Sequence, residues 1–290
     1  MKTQLSPREL AAAIGVSESS LKRWADGGLI AVTRTAGGHR RIARNEALRF
    51  IRQTGQQVLR PQVLGFAESQ EIPLTSDGSQ DPAEALYDAL LRGSREALGL
   101  VQGWFLAGRA LAWIFDGPMV IAMERIGQLW QCESDGVLLE HCATDLCIQA
   151  VMQLRLALPA EPHGAPTAVG AALAGDPYLL PSLMAATMLQ EAGFRAVNLG
   201  PQTPLPVLGA AALQHRAKLL WVSVSTEAAA ESAKAGLGRM AEELEPIGTN
   251  LVVGGRASGV LTPLGQSNIT FAGGMAELAA FAKGLLAGAA

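Results

Sequence analysis

The chain has 290 residues, 49% of them apolar and 17% charged. That composition supports a sizeable core and excludes an intrinsically disordered chain, and the length points to about two domains. The net charge of −3 conceals a division: residues 1–60 hold 11 Lys and Arg against 4 Asp and Glu, a net of +7, while the remainder carries −10. A basic head on an acidic body points to a polyanionic partner for the head alone, set against the plainer reading of a solvated charged face. The three cysteines, Cys132, Cys142 and Cys147, form no Cys-x-x-Cys pair. With no signal peptide expected, they suggest a reducing cytoplasm and thiols that are buried rather than metal-bound, even with His141 nearby. No apolar run reaches the ~18–20 residues of a membrane span.

The head comes first. Ser6-Pro7 is a cap followed by proline, so a helix starts there, carries Leu10, Ala11 and Ile14 inward, and stops at Gly15. Ser17 caps a second short helix that runs through Trp24 and ends at Gly27-Gly28. Two short helices on a tight turn are the helix-turn-helix pattern. The second helix is then the one that enters a major groove, with Ser19, Ser20, Lys22 and Arg23 as its outward polar residues and Leu21 and Trp24 packed inward. Two β-prone runs flanking Gly37-Gly38 predict a hairpin with a basic tip, in which Arg34, His39, Arg40 and Arg41 suit phosphate contacts. A helix over residues 44–53 closes the head, with Ala47, Leu48 and Ile51 inward.

Val16-Ser-x-x-x-Leu-Lys-Arg-Trp24, Gly28-Leu-Ile30 and Gly37-Gly-His-Arg-Arg-Ile42 together resemble the winged-helix head of the MerR family. The resemblance covers about forty residues, and implies sequence-specific binding of double-stranded operator DNA by a dimer. One departure is plain: no long heptad-bearing coiled coil follows.

Residues 61–80 read as a linker, since Gln70 to Pro82 is rich in Pro, Ser, Asp, Gly and Gln. Four helical stretches follow over 82–92, 94–107, 109–130 (broken at Gly117-Pro118) and 137–158. Short glycine breaks between them predict a four-helix bundle over 81–160. Within it, Trp130 is followed by nine residues and then Glu140-His141. This spacing resembles the bundle of cobalamin-binding modules, above all that of the light-sensing repressors of the CarH/LitR group. The resemblance implies that Trp130 packs on the adenosyl group of adenosylcobalamin, that Glu140 hydrogen-bonds it, and that His141 lies over the upper face. Taken alone, the residues favour a core Trp beside an ordinary helix start with Glu140 and His141 solvated; the head before them and the sheet after them turn the balance toward a ligand-covering face.

From 165 to 290, strands over 168–173, 196–200, 219–224, 251–254 and 269–272 alternate with helices over 182–192, 204–216, 228–244 and 275–286. That order predicts a doubly wound, Rossmann-like parallel sheet of five strands. The expected fold is thus multidomain: a winged helix-turn-helix head (1–60), a four-helix bundle and an α/β sheet. The loop after the first sheet strand, Asp176-Pro-Tyr178-Leu-Leu-Pro181, resembles the cobalamin signature Asp-x-His-x-x-Gly. Tyr178 stands where the lower cobalt ligand is expected, and Pro181 where the glycine is. Ser223 and Ser225, with Gly254 and Gly255, match positions that line the nucleotide-tail pocket in that fold.

A neutral phenol is a poorer cobalt ligand than imidazole. Three outcomes are therefore open: cobalamin bound without a protein lower ligand, another flat ligand such as a tetrapyrrole or flavin, or a vestigial pocket in a protein that only oligomerises. The resulting reading is a homodimeric or homotetrameric DNA-binding repressor, not an enzyme, with no catalytic or metal-ligating residues, controlled by adenosylcobalamin or a related tetrapyrrole and through it by light. Its rivals are a ligand-independent regulator and a corrinoid carrier for methyl transfer.

Overall fold

The computed structural model describes residues 3–66, 81–129, 135–262 and 264–288. It divides into two compact units, Met1–Ala160 and Glu161–Ala290.

In the first unit, β1 (Gln4–Leu5) leads into α1 (Pro7–Ile14) and α2 (Glu18–Asp26). The α1 start is a full capping box. The Ser6 hydroxyl accepts from the Glu9 N–H at 3.2 Å, and the Glu9 carboxylate accepts from the Ser6 N–H at 2.8 Å. Gly15 ends the helix at φ 70°, a conformation cheap only for glycine. Strands β2 (Thr33–Arg34) and β3 (Arg40–Ala43) form the expected hairpin. A third strand joins it, because β1 pairs antiparallel with β3. Two residues are too short a run for periodicity to announce. Helix α3 (Arg44–Thr54) buries Ala47, Leu48, Phe50 and Ile51, and the Trp24 ring sits 5.2 Å from that of Phe50.

The linker predicted from residue 61 does not begin there. Pro61–Leu64 form a 3-10 turn, and Leu64 and Phe66 are buried. The remaining predicted linker residues, 67–80, lie outside the described residues. Arg44 helps hold residues 61–66 down; it is a buried cation with no carboxylate partner among the described residues. Its Nε donates to the Leu64 carbonyl at 2.5 Å, its Nη1 donates to the Leu156 carbonyl at 3.1 Å, and its guanidinium lies 5.2 Å from the Phe66 ring. Burial pulls its pKa below the usual arginine value. Arg44→Ala is expected to destabilise this unit by about 3 kcal/mol, because two charge-assisted hydrogen bonds go. Arg44→Lys should recover little of it, since one ammonium does not reproduce the planar fork. Urea unfolding of both variants checks this; a loss under ~0.5 kcal/mol for Arg44→Ala would show that these contacts carry no stability.

The helical region runs α4 (Pro82–Leu91), α5 (Glu96–Leu106), α6 (Leu111–Ile114), α7 (Val120–Leu129) and α8 (Gly136–Ala157). A π-helical turn at Phe115–Met119 separates α6 from α7, with Gly117 at non-helical angles and Pro118 lacking a donor. The predicted break at Gly117-Pro118 takes the form of a kink. Helix α5 is buried nearly all round, and Phe105 on it meets both the Phe66 ring at 6.4 Å and the Arg52 guanidinium at 4.1 Å. Cys147 of α8 is buried, and burial pushes its thiol up to about 12, so it stays protonated. Cys142 is exposed, and Cys132 lies outside the described residues. Among the described residues, no three His, Cys, Asp or Glu side chains gather as a metal site, and no helix is long and apolar enough to cross a membrane.

The second unit is a doubly wound α/β fold. Its strands are β4 (Thr167–Ala172), β5 (Arg195–Asn198), β6 (Leu219–Ser223), β7 (Asn250–Gly254) and β8 (Ile269–Ala272). They lie in the order β5-β4-β6-β7-β8, all parallel. The connecting helices are α9 (Leu180–Ala192), α10 (Leu205–Gln214) and α11 (Glu227–Leu244), and α12 (Met275–Ala287) closes the chain. One sheet face carries Val169, Ala171, Leu173, Leu220, Val222, Val224, Leu251 and Val253, packed with α10 and α11 residues into a single core. The alternate residues face the other way, toward α9 and α12. Helix α9 begins two residues earlier than expected because Pro181 is used within its first turn, where a missing N–H costs nothing.

Candidate functional site

The strand order reverses between β4 and β6. Ligands of open α/β sheets bind outside the carboxyl ends of the strands at such a point. The β4 and β6 loops are tied across it by Asp176, which is fully buried. One carboxylate oxygen accepts from the Tyr178 N–H at 3.0 Å, and the other accepts from the Ser225 N–H at 2.5 Å. The Asp176 carbonyl accepts from the Gln202 N–H, and the Gln202 side-chain oxygen accepts from the Gly175 N–H. The Arg256 guanidinium donates to the Ser225 carbonyl. Four loops of the carboxyl edge are thereby stapled. Tyr178 is 39% exposed.

The face toward α9 is built in register rows. At the edge, Ala172, Ser223, Gly254 and Ala272 stand side by side on four strands; one step down lie Gly170, Trp221, Val252 and Thr270. The edge row is made of small residues and the lower row is not. Ser223 and Ser225 are 5% and 8% exposed, and neither hydroxyl has a hydrogen-bond partner among the described residues. Unpaired buried hydroxyls are costly enough that each needs a reason. The glycines next to them have reasons of their own. A Cβ on Gly255 (φ 105°) would meet the Val224 carbonyl oxygen at 2.4 Å, and one on Gly254 would meet that of Ala272 at 3.2 Å.

Trp221 went unnoticed in the sequence. It is 2% exposed, and its indole N–H donates to the Ser182 hydroxyl at 3.1 Å. Ser182 in turn donates to Asn198 Oδ1, which also accepts from the Gly200 N–H. A Cβ on Gly170 would lie 1.9 Å from the indole. A glycine inside a buried strand is the available signal for such a close approach.

In the first unit, Glu140 and His141 sit in the first two turns of α8. The Glu140 carboxylate accepts from the Thr144 hydroxyl at 3.0 Å. His141 is exposed, with Nδ1 2.8 Å from the Val137 carbonyl, so Nδ1 is the donor there. Trp130 lies outside the described residues. In the head, Lys22, Arg23, Arg34 and His39 are exposed and Arg41 is half-buried. Arg40 is already engaged, its guanidinium 2.7 Å from Asp26 at the end of α2, so it pins the hairpin to that helix. The Ser19 and Ser20 hydroxyls are drawn back to that of Ser17, 2.8 and 3.0 Å away, at the α2 cap.

The chain joins a helix-turn-helix head to a helical region and a five-stranded Rossmann-like sheet. The helix-turn-helix domain family matches residues 5–55. Among solved structures, the chain is similar to a monomethylamine corrinoid protein from Methanosarcina barkeri, with 18% identity, 69% of this chain and 96% of that one covered, and a TM-score of 0.54. It shares that protein's fold. Looser similarities reach a cobalamin-binding protein from Desulfitobacterium hafniense DCB-2, at 18% identity over 71% of this chain and 98% of that one with a TM-score of 0.36. A methanol:cobalamin methyltransferase complex from Methanosarcina barkeri matches at 17% identity over 75% and 87%, with a TM-score of 0.38. No curated protein sequence matches the chain.

Proposed function

We propose that the protein is a DNA-binding transcriptional regulator whose second unit takes a corrinoid or a related flat macrocycle. The observation that carries the reading is the joining, in one chain, of a helix-turn-helix head and a sheet with two unpartnered buried hydroxyls at its topological switch point. The row of small side chains at the edge and the Ser223 and Ser225 hydroxyls fit the face of a flat ring. The loop after β4 does not fit an axial ligand to cobalt from the protein. Tyr178 replaces imidazole, and both Asp176 oxygens are engaged by backbone N–H groups. A corrinoid here keeps its own lower base or has none.

The finer reading is a repressor of the MerR type, not an enzyme, with adenosylcobalamin as the ligand and green light as the signal. Adenosylcobalamin supplies a photolabile cobalt–carbon bond. The chain's own part is to hold the ring against the Ser223 and Ser225 hydroxyls at the carboxyl end of β6. Bound ligand would hold several chains together, and linked heads gain operator affinity through effective concentration. A corrinoid carrier for methyl transfer is disfavoured by the helix-turn-helix head and by the missing imidazole. A ligand-independent regulator is favoured by one observation, that the Asp176 carboxylate and the Trp221 indole N–H each find their partners within the protein.

Absorption spectra and size-exclusion profiles, with and without adenosylcobalamin, in darkness and after green light, separate these. Co-eluting corrin and a dark oligomer that shrinks in light support the full reading. A colourless protein whose operator binding ignores every corrinoid leaves the ligand-independent one. For the head, Arg23→Ala is expected to weaken binding to DNA upstream of its own gene by about tenfold, with a shallower salt dependence. Unchanged affinity across a salt titration would remove α2 from the groove.

A further inference from the structure

The hydroxyl pair stands above a floor. Trp221 and Ser223 are alternate residues of β6, so their side chains share the face toward α9, with one strand step of ~6.7 Å between them. A ligand arm running down the sheet from Ser223 would enter the space between β4, β6 and α9. That space is filled. The indole lies against Gly170 so closely that no Cβ fits there, and its N–H is fixed through Ser182 to Asn198. Trp221 is itself a flat bicyclic heteroaromatic, held on both its face and its edge.

We propose that Trp221 sets the specificity of this crevice: it admits a macrocycle against the edge row and excludes a nucleotide tail inserted along the sheet. This rests on the corrinoid reading above and narrows it, since Ser223, Ser225, Gly254 and Gly255 then serve the ring and not a tail. The ligand class is a corrinoid whose tail is either absent or folded beneath its own ring. The Ser182–Asn198 relay is the positioning element, because it holds the indole in the plane that closes the groove.

The test compares adenosylcobinamide, which lacks the nucleotide, with adenosylcobalamin, by titration in darkness followed by absorption. The wild-type protein is expected to bind the two with dissociation constants within fivefold of each other. Trp221→Ala is expected to bind adenosylcobalamin at least tenfold more tightly than wild type does, with adenosylcobinamide unchanged. Wild type preferring adenosylcobalamin by fivefold or more, or Trp221→Ala leaving its affinity unchanged, overturns the inference while sparing the corrinoid reading. Neither ligand binding to either protein overturns both. Should Trp221→Ala be too unstable to titrate, the wild-type ratio alone decides. A rise of its thermal midpoint with free indole would confirm that the vacated space is a cavity of that shape.

Discussion

Gly170→Ala should be among the most damaging single methyl additions to the second unit, costing about 3 kcal/mol or more. The added Cβ falls 1.9 Å from the Trp221 indole, on a central strand of a sheet covered on both faces, so neither backbone has room to retreat. The diagnostic is the double variant. Trp221→Ala alone leaves a cavity and costs about 3–5 kcal/mol, yet Gly170→Ala placed on that background should cost little, because the obstructing ring is gone. Urea unfolding of the four proteins gives a coupling energy, and strict additivity would show that the glycine is needed for some reason other than the indole.

Asp176→Ala carries the second large effect. It removes the acceptor of two backbone N–H groups, those of Tyr178 and Ser225, and the latter is buried. Charge-assisted bonds are worth about 1.5–3 kcal/mol each, so a loss of about 3 kcal/mol is expected. Asp176→Asn keeps one acceptor oxygen and should cost roughly half as much. The variant should also free the β4 and β6 loops. Hydrogen exchange at Tyr178 and Ser225 is expected to rise ahead of global unfolding; unchanged protection there would mean that the staple is redundant with the Gln202 and Arg256 contacts.

The strongly patterned parts of the fold were legible in the sequence. All five strands of the parallel sheet and the helices between them were anticipated to within one or two residues, because buried parallel strands read as apolar runs and their helices are punctuated by Gly and Pro. The head was legible because Ser6, Ser17 and Gly37-Gly38 are local signals whose effects stay local. What escaped depends on distant partners. β1 is defined by its pairing with β3, and Arg44 looks like one more head cation until Leu64 and Leu156 supply its acceptors. Arg40, read as a phosphate contact, is taken by Asp26 for the same reason.

The site was half legible. Asp176 reads in the sequence as a ligand-loop residue, and its carboxylate turns inward to hold the loop. Ser223 and Ser225 stand unpartnered at the edge. Trp221 does not stand out in the sequence, because an aromatic in a β-prone run is ordinarily core; only its cross-strand partner Gly170 separates it from that background.

Arg44 bears on how the chain can be divided. The head ends in sequence near residue 60, but the guanidinium at its third helix closes on carbonyls at residues 64 and 156, and Phe66 and Arg52 reach Phe105. A fragment cut at 60 would carry a cation shaped for acceptors it no longer has. The smallest portable piece of this chain is therefore residues 1–160, and fusions that graft foreign domains onto the helix-turn-helix end should keep the helical region as part of the graft.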